Sequence, residues 1–281
     1  MNQKSLVKKY GIRPKKRLGQ NFLIDKNVIN KILKHIAPSK NECILEIGPG
    51  LGVLTEGLLK QGASVIAVEK DRQFSDILKK ELIDYEDRLE IITQDIMRFD
   101  LKKHCSNKKI RVVGNLPYYL TTPLLFFLLE HRETTTSAVL MIQKEVADRL
   151  CASPGTSDYG RLTVALNYFS SIKKVMQVSK SCFFPQPKVD STIIEIQFKS
   201  KKDTSETNFT HDLFLDVVRI CFGQRRKNLL NCLSSSKLCD ISKQEWGDLI
   251  ERCQISPRQR AEKLELEDFI KLSTQIQSIK K

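Results

Sequence analysis

Asn115-Leu116-Pro117-Tyr118 carries the most pointed chemistry in this sequence. Proline fixes its own φ and confines the residue before it to extended backbone. The Leu116 carbonyl is thereby kept out of a helix and left to accept a hydrogen bond elsewhere. The Asn115 side-chain oxygen is a second acceptor, and Tyr118 adds a ring face. Two acceptors beside an aromatic face suit an exocyclic aryl amine such as that of adenine. The lone pair of that amine is delocalised into its ring, so it is a poor nucleophile. Two acceptors draw the amine hydrogens out of the ring plane and localise the pair. The ammonium product is acidic enough to lose its proton without a tuned histidine, so the rate rests mostly on alignment of the reactants. A second aromatic group, Phe183-Phe184-Pro185-Gln186-Pro187, offers an opposing face for a base held between rings. Phe183 is the expected partner of Tyr118, with Phe184 the competing choice.

The electrophile has to lie beside that turn. Glu46-Ile47-Gly48-Pro49-Gly50-Leu51-Gly52 is a glycine-rich loop that lets backbone approach a ligand closely and turn into a helix. A nicotinamide-type loop would place its third glycine at position 53, where this chain has Val53. Glu69 follows Gly48 by 21 residues, the place where dinucleotide folds put the carboxylate that binds ribose hydroxyls. Asp95 is placed either to accept from an adenine amine or to cap the helix that follows. Three acids, Glu46, Glu69 and Asp95, suit a cationic ligand better than a pyrophosphate. S-adenosylmethionine carries a sulfonium and no phosphate, and the charge balance favours it over a dinucleotide.

These residues fall at the ends of predicted strands. Apolar runs at 43–47, 64–68, 89–93, 110–113 and 138–142 read as strands, alternating with helices at 53–60, after Glu69 to about 83, and at 145–150. That rhythm implies a parallel sheet covered on both faces, with ligands at the carboxyl ends of its strands. Strands at 174–178 and 192–198 lack a full helix between them, which predicts a hairpin at one sheet edge. Asp25 offers an N-cap to a helix carrying Val28, Ile29, Ile32, Leu33 and Ile36, ended by Pro38. The expected organisation is a basic arm over 1–20, an α/β domain over 21–200, a polar linker near 199–210 and a small all-α domain over 206–281. Gly11, Pro14 and Gly19 argue for a flexible, non-helical arm.

The chain has 281 residues, 41% of them apolar, which supports a real core and is too apolar for a disordered chain. Its net charge of +14 points to a polyanionic partner. The eight cysteines show no CxxC spacing and the four histidines no zinc pattern, so buried thiols are expected and no metal. No apolar run reaches the roughly 18 residues that cross a bilayer, and no secretory signal is read, so the expected location is the cytoplasm.

In order along the chain stand Gly19-Gln20-Asn21-Phe22-Leu23, Glu46 to Gly52, Glu69, Gln94-Asp95, Asn115 to Tyr118 and Phe183 to Val189. Together they resemble the bacterial small-subunit ribosomal RNA adenine dimethyltransferase family. The resemblance extends to Phe222-Gly223-Gln224-Arg225-Arg226-Lys227-Asn228 and to Arg260-Ala261-Glu262. It implies a Rossmann-like methyltransferase sheet and S-adenosylmethionine as cofactor. Asn21 and Leu23 would close over that cofactor, Gly48 would line its amino-acid end, Glu69 would bind its ribose and Asp95 its adenine. Asn115 would bridge cofactor and target. The implied reaction gives two methyl groups to each of two adjacent adenosines in a hairpin loop near the 3′ end of 16S rRNA, in the small ribosomal subunit or its precursor. The arm and Arg219, Arg225, Arg226 and Lys227 would track phosphates; the oligomeric default is a monomer. The alternatives are a large-subunit rRNA methyltransferase of the antibiotic-resistance type, a DNA adenine methyltransferase and a non-enzymatic ribosome assembly factor.

Overall fold

A computed structural model describes residues 3–15, 18–105, 109–199, 208–224 and 226–280. The strands are β1 (Phe22–Leu23), β2 (Cys43–Ile47), β3 (Ser64–Glu69), β4 (Leu89–Thr93), β5 (Ile110–Asn115), β6 (Thr135–Gln143), β7 (Ser170–Val178), β8 (Phe183–Phe184) and β9 (Ser191–Phe198). Among the described residues, seven of them form one sheet in the order β4-β3-β2-β5-β6-β9-β7. β4, β3, β2, β5 and β6 run parallel, and β9 returns antiparallel to β6. This is the Rossmann-like sheet with an antiparallel edge that the strand-helix rhythm and the late pair of strands imply. β2 and β5 read as near-continuous apolar runs because both of their faces are covered: Ile44, Leu45, Val112 and Val113 are fully buried.

Local chemistry sets the helix boundaries. The Asp25 carboxylate accepts from the Val28 N–H and starts the Lys26–Ile36 helix, which buries Ile29, Ile32, Leu33 and Ile36. The helix stops at Ala37, which takes a left-handed conformation ahead of Pro38. The Val53–Lys60 helix follows the glycine loop directly, and Arg72–Glu81 follows β3.

Two expectations are corrected here. The N-terminal arm is not wholly irregular: Gln3–Lys9 is a helix that ends before Gly11, Pro14 and Gly19, so none of the three breakers touches it. Its spacing is amphipathic. Gln3 and Leu6 are buried and Tyr10 is half-buried, while Lys4, Lys8 and Lys9 face water. Leu6 and Ile12 pack with Phe22, Leu51, Phe74 and Ile77, and each such buried aliphatic contributes about 1.5–3 kcal/mol. Lys16 and Arg17 lie outside the described residues.

The second correction concerns the division of the chain. One compact unit comprises 1–147 and 173–198; the other comprises 148–172 and 199–281. Residues 148–172 therefore leave the α/β domain in which the sequence pattern places them. Their Arg161–Phe169 helix is apolar on nearly every side, burying Leu162, Val164, Leu166, Tyr168 and Phe169. Within the helical unit the Tyr168 ring stacks on Phe214, 4.0 Å between centroids, and Phe169 meets His211 edge-on. A helix without a polar face has to be packed on more than one side.

Candidate active site

Sheet register brings the candidate residues together. In the parallel pairs Ile47 lies opposite both Val68 of β3 and Gly114 of β5. The glycine loop, Glu69 and Asn115 thus leave three neighbouring strands side by side, where the strand order reverses around β2. Gly114 makes this closeness possible: a Cβ there would lie 2.8 Å from the Ile47 carbonyl oxygen. Gly52 has φ +79° and a Cβ on it would meet Leu78 Cδ2 at 2.4 Å, so the early third glycine is fixed by the packing of the Arg72–Glu81 helix.

A cleft of about 1110 Å³, counted to the open solvent, sits over these strand ends. Asn21, Leu23, Gly48, Glu69, Asp95 and Asn115 all line it, and so do Leu116, Tyr118 and Phe183.

The Asn115 amide is oriented by its partner. Nδ2 donates to the Asn21 carbonyl at 2.9 Å, which leaves Oδ1 as the acceptor. Pro117 has φ −57° and ψ 133°, and Leu116 N–H donates to Met141, so the turn is pinned to β6 while Leu116 stays out of any helix. The Tyr118 hydroxyl makes long contacts of 3.5 Å to the Val189 carbonyl and 3.4 Å to Ser191 Oγ. These hold the ring from its far end, and burial pushes its pKa up. Antiparallel pairing of β1 with β8 sets Leu23 against Phe183 and Phe22 against Phe184. Alternation along that strand buries Phe183 and turns Phe184 outward, 42% exposed. Phe183 therefore lines the cleft and Phe184 does not.

The acids differ in environment. Glu69 is buried; its two oxygens accept from the backbone N–H groups of Gly50 at 3.1 Å and Asp71 at 2.8 Å. Burial raises its pKa and those two donors oppose the rise. Asp95 caps the turn at Met97 and pairs with Lys70 at 2.7 Å, so the capping alternative for this residue is realised at the cleft wall. The hydrogen bond from Lys70 holds its carboxyl below the ordinary range. Glu46 is 2% exposed, and burial pushes its pKa up to about 7, with the Thr55 hydroxyl opposing the rise and the Glu69 carboxylate adding to it. Glu46 Oε2 has no hydrogen-bond partner among the described residues.

The family model for the ribosomal RNA adenine dimethylases matches residues 11–278. The chain belongs to the ribosomal RNA adenine dimethylase family. It is 40% identical over 270 residues to the "Ribosomal RNA small subunit methyltransferase A" of Alkaliphilus oremlandii, covering 95% of this chain and 93% of that protein. The protein of the same name from Bacillus mycoides is 42% identical over 276 residues, covering 96% and 94%. Among solved structures, a dimethyladenosine transferase from Plasmodium falciparum superposes with a TM-score of 0.75 at 30% identity, covering 89% of this chain and 95% of that one. The 23S rRNA methyltransferase ErmE shares the fold, with a TM-score of 0.67 at 23% identity and coverage of 91% and 99%.

The cleft of this dimethylase suits a cationic methyl donor on its own evidence. Among the described residues, Glu46, Glu69 and Asp95 line it against one lysine, Lys70, which is already paired, and Glu46 brings an unsatisfied acceptor. A Cβ at Gly48 would meet nothing within 4 Å, so the backbone there stands open to a ligand. Several residues escaped sequence reasoning: Gln3, Lys70 and Tyr119 of the wall, and Asp71, outside the lining, which donates its N–H to Glu69 Oε1. Asp71 had a local signal, since it caps the Arg72–Glu81 helix through the Gln73 N–H. It also takes Lys15 at 2.8 Å and Gln20 at 3.0 Å. Burial raises the Asp71 carboxyl, and these donors outweigh it and hold its pKa low.

Proposed function

We propose that this chain transfers methyl groups from S-adenosylmethionine to the exocyclic amines of two adjacent adenosines in a hairpin loop near the 3′ end of 16S rRNA, on the small ribosomal subunit or its precursor in the cytoplasm. The observation that carries the reading is the tethered Asn115 amide: with Nδ2 committed to Asn21, Oδ1 accepts, next to the Leu116 carbonyl. The cofactor supplies an electrophilic methyl on sulfonium. Glu69 is placed for its ribose hydroxyls, Gly48 for its amino-acid end, and Asp95 and the Asn21-to-Leu23 segment for its adenine side. Asn115 Oδ1 and the Leu116 carbonyl hold the two amine hydrogens of the target. Tyr118 and Phe183 fix its ring plane. No side chain has to take the proton, because the ammonium formed is a strong acid.

Labelled S-adenosylmethionine incubated with undermethylated small subunits tests this. The label is expected at N6 of two neighbouring adenosines near the 3′ end of 16S rRNA. Label on large-subunit RNA, or tight subunit binding without label, would overturn the reading.

The RNA-facing charge differs from the simple count. Arg219 pairs with Asp216 at 2.7 Å, and in the arm Lys9 pairs with Glu81 and Lys15 with Asp71. Phosphate contact then falls to other cations: Arg226 and Lys227, both exposed, and Arg225, which lies outside the described residues. Replacing Arg225, Arg226 and Lys227 by alanine together is expected to lower the salt slope of RNA binding by about 2. Filter binding across a salt series measures it; an unchanged slope returns the cluster to a solvated face.

A further inference from the structure

We propose that Gln3 is a further cofactor-contacting residue, carried by an N-terminal strap over residues 3–15 whose attachments govern how fast the cofactor leaves. The inference rests on the methyltransferase reading of the cleft. Six buried side-chain oxygens lack a hydrogen-bond partner among the described residues: those of Gln3, Glu46, Thr55, Ser75, Thr121 and Thr135. Only the Gln3 and Glu46 oxygens belong to residues that line the cleft. A buried acceptor without a donor costs free energy that a ligand bringing a donor removes. An S-adenosyl ligand brings ribose hydroxyls and an ammonium. Gln3 is 5% exposed, so solvent does not satisfy this oxygen.

The strap is fastened where the cofactor is held. Leu6 and Ile12 pack on Phe22, which belongs to the segment expected to close over the cofactor, and on Phe74 of the helix after Glu69. Lys9 and Tyr10 both reach Glu81 Oε1, at 2.6 and 2.5 Å. Lys15 Nζ reaches both oxygens of Asp71, at 3.0 and 2.8 Å, and the Lys15 N–H donates to Gln20 Oε1. Asp71 in turn donates its own N–H to Glu69 Oε1. The lysines of the arm that these contacts engage thus fasten a cover, and Lys4 and Lys8 remain outward.

Binding and release of S-adenosylhomocysteine by the full-length chain test the strap. Gln3→Ala is expected to raise its Kd about three- to tenfold with the Tm of the ligand-free protein unchanged. Leu6→Ala and Lys15→Ala are expected to speed its release about tenfold, and saturating ligand is expected to slow tryptic cleavage after Lys8 and Lys9. A merely structural role for Gln3 would lower Tm and leave Kd alone, and that result overturns the proposal. Release rates equal to wild type in all three variants, or cleavage indifferent to ligand, overturn it too. Wild-type protein that binds no S-adenosylhomocysteine would sink the methyltransferase reading itself, a failure distinct from these.

Discussion

Asn115→Ala is expected to lower methyl transfer by about a thousandfold while leaving RNA affinity within about twofold. Removing the side chain deletes one of the two acceptors that localise the amine lone pair, and it frees the base to rotate out of line. Losses of 10²–10³ on that scale are typical when one preorganised hydrogen-bonding group is removed at a reacting centre. The same change releases the Asn21 carbonyl from Nδ2, so the segment that carries Asn21 and Leu23 loses a fastening 94 residues away in sequence. S-adenosylhomocysteine binding is therefore expected to weaken a few-fold as well. Single-turnover transfer to undermethylated subunits, measured at saturating cofactor, separates the two effects. Wild-type transfer by Asn115→Ala would show that the amine acceptor is elsewhere.

Glu46 gives the second large effect, read as stability against pH. Its carboxyl has an ordinary pKa of 4.5, and burial raises it to about 7 in the folded chain. Between those values the native state keeps a proton that the unfolded chain has released. Stability from this group is accordingly highest below pH 4.5 and falls as pH rises to about 7, by about 3 kcal/mol in total. The groups facing it do not supply a counter-charge: Glu69 carries the same sign, and the Thr55 hydroxyl opposes the rise but is neutral. Glu46→Gln removes the titration and keeps the shape. The variant is expected to gain on wild type by about 2–3 kcal/mol between pH 5 and 8 in denaturant unfolding. A stability difference flat across that range would contradict the assignment. A cationic ligand in the cleft favours the ionised form, so its binding below pH 7 is expected to release a proton, and Glu46→Gln to abolish that release.

Much of the α/β scaffold was readable because it is written locally. The limits 43–47 and 89–93 for strands and 53–60 for a helix coincide with those of the structure, since apolar period and glycine or acid punctuation act within a few residues. The N-terminal helix was missed for a reason of the same scale. Seven residues rich in lysine form too short a helix to stand alone in water, and this one exists because Leu6 and Ile12 find Phe22 and Phe74. The Arg161–Phe169 helix was not read from the sequence, and which unit buries it is a matter of long-range packing.

By itself the sequence determined the order of the strands along the chain, the acids and the Asn-Leu-Pro-Tyr turn at their ends, and hence the kind of ligand that could gather there. Backbone propensity, side-chain period and charge are local properties, and one chain carries them without folding. Only the tertiary structure decided which end of the Asn115 amide is presented, that Phe183 and not Phe184 lines the cleft, and that Lys70 and Gln3 join its wall. Those choices depend on hydrogen bonds and pairings between residues up to 162 positions apart, such as Phe22 with Phe184, and such partners are brought within reach only when the chain folds.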